Sequence, residues 1–97
     1  MNKMKLADFK LMETTMPKGV QAIVDFGKYE LSIIQNKMSY GHEKDLYEIA
    51  VFDGNDQVEL PGITSPGDTV KGFLTEADID AILIKMYTIT GNEGNQV

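Results

Sequence analysis

The chain has 97 residues, 42% hydrophobic and 25% charged, with 15 acids against 9 bases and a net charge of −6. That length serves one hydrophobic core, and the composition excludes a disordered, collagen-like or disulfide-stapled chain. The acidity argues against direct nucleic-acid binding, which calls for a basic patch. No apolar run approaches the roughly 18 residues of a membrane span.

Cysteine is absent, which removes disulfides, thiolate nucleophiles and the usual structural zinc sites. All 9 bases are lysine. Arginine is the residue suited to two-pronged grips on phosphate, so its absence speaks against phosphate-reading chemistry. His42 is the single histidine and cannot build a multi-histidine metal centre. No cofactor is expected. The N-terminus lacks an apolar stretch followed by a small-residue cleavage site, so a cytoplasmic location is the expectation. Charge is uneven: residues 1–44 carry +2 and residues 45–97 carry −8.

In chain order, residues 1–17 stay undecided. Met4, Leu6, Phe9, Leu11 and Met12 fit neither a helical stripe nor a strand alternation. Pro17 ends that segment, and Met16 before it is expected to be extended. A single domain is expected over 18–91. Val20, Ala22, Val24 and Phe26 share one face of a strand over 19–26, and Tyr29, Leu31 and Ile33 continue that face over 29–35. Gly27 and Lys28 between them predict a tight hairpin, the glycine supplying the positive φ of a type II′ turn. A polar loop follows over 37–45. Tyr47, Ile49 and Val51 predict a third strand over 46–52. Asp53 to Asp56 form a turn cluster, and residues 57–60 return as a short strand. Prolines 61 and 66, each followed by glycine, punctuate an irregular stretch before a short edge strand at 69–74.

Thr75 predicts a helix N-cap, with Asp78 placed to complete a capping box. Glu76, Asp78 and Asp80 suit the positive end of the helix dipole. Ile79, Ile82, Leu83 and Met86 make one apolar stripe, and Gly91 is a natural terminator. Residues 92–97 are expected to fray. The whole reads as an α+β fold: an antiparallel meander of four to five strands with one C-terminal amphipathic helix on one face. The opposite face holds Ile23, Ile34, Ala50 and Phe52, more apolar than a solvated face. Either the N-terminal segment or a second subunit is expected to cover it.

Three groups of residues are candidate sites. In the loop at 39–47, Tyr40, His42 and Tyr47 stand among carboxylates, the setting of a tuned general base. No second catalytic partner is fixed by spacing, and an exposed turn accounts for the same residues, so a non-enzyme is expected. The second group is acidic. Asp53, Asp56, Glu59, Asp68, Glu76, Asp78 and Asp80 fall within 28 residues that contain one base, Lys71. On one surface they would dock a basic partner; Asp53, Asp56, Glu59, Asp68, Glu76 and Asp80 are the candidate contacts. Calcium is not expected at Asp53–Gln57, because Val58 and Thr64 stand where an EF-hand loop needs glycine and glutamate. The third group, Ile23, Ile34 and Phe52, is the candidate self-association face.

The run Tyr29-Glu30-Leu31-Ser32, then Ser39-Tyr40-Gly41, then Leu46 to Val51, with Ile63-Thr64 and the spaced Asp68, Val70, Gly72 and Leu74, resembles small uncharacterised proteins of tailed bacteriophages. The similarity covers residues 19–89. That family has no assigned activity, so it carries no functional residues across. It implies an accessory protein in the cytoplasm of a bacterial host. The expected function is a non-enzymatic interaction module binding a host or phage protein, in its sharper form an acidic inhibitor of that protein. The alternative is a self-associating, homodimeric or larger, component of a phage particle.

Overall fold

A computed structural model describes residues 4–97. The first three residues of the undecided N-terminal segment lie outside the described residues. The rest is one open, antiparallel sheet of seven strands with a single helix, an α+β architecture.

The strands are β1 (Met12–Thr15), β2 (Lys18–Asp25), β3 (Tyr29–Asn36), β4 (Tyr47–Asp53), β5 (Asp56–Val58), β6 (Val70–Leu74) and β7 (Asn95–Gln96). β1 to β5 form a meander in sequence order. β6 shares the outer edge of β4 with β5, pairing at Tyr47–Ala50 while β5 pairs at Val51–Asp53. β7 shares the outer edge of β2 with β1. The predicted strands all form. The two short strands β1 and β7 are additional, and both lie in segments where apolar alternation is absent.

The β2–β3 hairpin forms as its turn chemistry dictates. Gly27 has φ 92°, and the Phe26 amide donates to the Tyr29 carbonyl at 2.8 Å. Register places Ala22 opposite Ile33 and Val24 opposite Leu31, and these meet Ile49 and Val51 on β4. Alternation therefore collects one continuous apolar surface.

Helix α1 (Glu76–Thr90) covers that surface. The Thr75 hydroxyl accepts from the Asp78 amide at 3.1 Å, and the Asp78 carboxylate accepts from the Thr75 amide at 2.9 Å. The capping box is thus complete, and Gly91 closes the helix at φ 72°. Ile79, Ile82, Leu83 and Met86 are buried as the stripe requires. Burying each such side chain contributes about 2 kcal/mol.

The first part of the N-terminal segment packs against the helix, and only its end at Thr14, Met16 and Pro17 borders the opposite sheet face. Leu6 and Phe9 join the core, and the Leu6 amide donates to Asp80 at 2.8 Å. Residues 92–97, expected to fray, are tied down. β7 pairs with β2, and the Val97 amide donates to the Ile23 carbonyl at 3.0 Å. The Gln96 side chain bonds both backbone groups of Lys10. These partners are remote in sequence, which is why composition alone reads the tail as loose.

Candidate functional site

The three candidate groups do not converge. Tyr47 points to the core side, opposite Leu74, and burial, then the nearby Glu76 and Asp45 charges, push its hydroxyl pKa up. His42 lies in a surface 3-10 turn (His42–Lys44), its Nδ1 3.1 Å from the Ser39 carbonyl and 3.2 Å from Glu43. The ring borders a shallow hollow with Lys18 and Lys37, which neither tyrosine lines. Among the described residues, no group of three or more His, Asp or Glu is arranged to hold a metal.

The acidic residues are divided among local tasks. Asp53 pairs with Lys28 at 2.8 Å and raises that lysine's pKa. Glu59 accepts from the Gly67 amide, bracing the loop between β5 and β6. Asp78 is held below the usual carboxylate range by the Thr75 amide, then by its hydroxyl. Asp80 anchors Leu6. Asp56 and Glu76 are exposed, at the start of β5 and in the first turn of α1. Asp68 is exposed and accepts from the Thr69 amide.

The outer sheet face stays open among the described residues. Ile34 and Phe52 line a groove of ≈ 320 Å³ with Ser32, Ala50 and Val70, and Thr14, Met16 and Pro17 of the N-terminal segment line it as well. Ile23 lies on the same face but outside the groove.

One feature was hidden from sequence reasoning. Tyr47 to Ile49 on β4 spans the same length as Lys71 to Leu74 on β6, so β6 carries one extra residue. Phe73 lies in this bulge with φ 58°, in the left-handed region that favours glycine. For an aromatic side chain that backbone costs ~1–2 kcal/mol. The bulge turns the ring outward: Phe73 is 56% exposed and stacks on Tyr40, itself 62% exposed. Their centroids are 6.2 Å apart with 28° between planes.

The pair is built on close backbone contact. A Cβ on Gly72 would stand 2.5 Å from the Tyr40 Cβ, and one on Gly41 would stand 3.1 Å from the Phe73 Cα. The Tyr40 amide donates to Glu48 at 2.8 Å. Asp68, Ser65 and Lys71 line the hollow beside the two rings, ≈ 280 Å³. The signal that could have found this site is the spacing of Gly41 and Gly72 beside two aromatics, meaningful only once β6 is placed next to the loop.

No protein-family model, curated protein or solved structure matches the chain. Among the described residues, no helix is long and apolar enough to cross a membrane.

Proposed function

We propose that this protein is a non-enzymatic interaction module that docks a basic protein through the Tyr40–Phe73 aromatic pair. The observation that carries the reading is Phe73: a strained backbone holding a large apolar ring in solvent. Stacking on Tyr40 does no more than offset the backbone strain, whereas interfaces are anchored by exposed aromatic rings. Net charge −6 and the carboxylates of Asp68 and Glu48 around the rings favour a cationic partner. The phage-protein resemblance makes a bacterial host protein the first partner to seek.

The test is capture from nuclease-treated bacterial lysate, comparing the natural chain with F73G. A protein retained by the natural chain, released by salt and lost from F73G supports the reading. Retention that ignores the substitution, or capture of nothing, overturns it.

The competing reading is self-association through the outer face, favoured by the open groove at Ile34 and Phe52. Solution molar mass measured into the high micromolar range decides it. A monomer there disposes of the reading, and a dimer abolished by I34K establishes it.

A further inference from the structure

We infer that the Tyr40–Phe73 pair seats a single arginine side chain of the partner, its guanidinium flat on an outer ring face of the pair and beside the Asp68 carboxylate. This deepens the proposed docking of a basic protein and rests on it.

The geometry suits a planar cation better than a compact one. The two rings are stacked, 6.2 Å apart with 28° between planes, and both are more than half exposed, so the pair keeps an outer ring face open to a flat group. A guanidinium stacks on such a face and still presents in-plane donors to a carboxylate, which an ammonium does not. Asp68 forms no ion pair among the described residues, and the hollow it lines contains both rings. Glu48 accepts from the Tyr40 amide, adding a carboxylate at the backbone that carries the ring. Lys71 also lines the hollow, and its charge opposes a cation.

The occupant must come from another protein. This chain contains no arginine, so a second copy has no guanidinium to offer. An anionic base or phosphate finds no basic patch around the rings, because Lys71 stands there against Asp68 and Glu48.

The experiment is an NMR titration of the full chain with a short capped peptide carrying a central arginine. Identical peptides carrying citrulline, the neutral isostere, and lysine serve as comparisons. We expect the arginine peptide to shift the Tyr40 and Phe73 ring signals, with the citrulline peptide binding about two- to fivefold more weakly. D68N is expected to remove most of that difference, and F73G to abolish the ring shifts while the remaining spectrum stays folded. Y40L provides a second route to the same loss. Equal shifts from arginine and citrulline, or shifts centred elsewhere, overturn the inference.

Failure here is separable from failure of the docking reading. A captured protein lost from F73G but retained by D68N, and insensitive to replacement of its arginines, keeps the docking surface and removes the guanidinium seat. Arginine-specific ring shifts without any protein lost from F73G keep the seat and remove the docking role.

Discussion

Phe73 combines an unfavourable backbone with an exposed ring, and the two effects oppose each other on substitution. Glycine relieves ~1–2 kcal/mol of left-handed strain but forfeits ~1 kcal/mol of ring stacking and adds unfolded-state entropy that folding must remove. F73G is therefore expected to change stability by less than about 1 kcal/mol while removing partner capture; urea unfolding measures the first quantity. Gly72 behaves differently. G72A brings a methyl to 2.5 Å from the Tyr40 Cβ, which cannot swing away as a side-chain tip would. A loss of ~1–3 kcal/mol and displacement of the Tyr40 ring are expected, read by urea unfolding and by the ring signals. Tyr47 supplies a pH handle. Its folded pKa is raised, so its contribution is complete below pH 10 and is lost as pH rises through the folded value. Y47F is expected to flatten the alkaline end of the stability–pH curve.

Among the elements, α1 is the one whose ends are most fully specified. The capping box joins Thr75 and Asp78, and T75A is expected to cost about 1 kcal/mol in thermal or urea unfolding. Asp78 has a folded pKa below its ordinary 3.8, so its contribution is present above that pH and fades as pH falls toward the folded value. D78N is expected to remove that segment of the acid limb. The edge strands follow other rules. β6 departs from regular pairing by one residue, and this bulge alone converts an inward alternation into an outward ring at Phe73. β7 is only Asn95–Gln96, too short for any periodicity to show.

At the scale of the whole molecule, the two termini brace each other across the sheet. Gln96 holds Lys10, Asp80 holds Leu6, and the Asn92 side-chain Nδ2 donates to the Phe26 carbonyl at the hairpin turn. Gly94 lies against Val24 and Phe26, where an added methyl would meet the Val24 Cγ1 at 2.5 Å. G94A is therefore expected to cost ~1–3 kcal/mol, comparable with an overpacked core, although it sits in what looks like a tail. Hydrogen exchange would show β7 protected together with β2. The meander, its hairpin, the capped helix and the buried stripe were legible before any tertiary contact was known, because each rests on local periodicity or on turn and cap chemistry within a few residues. The N-terminal packing, the role of residues 92–97 and the Tyr40–Phe73 site were decided only by tertiary structure. Each depends on contacts between segments distant along the chain, and in the last case on a one-residue bulge in β6 that no local pattern announces.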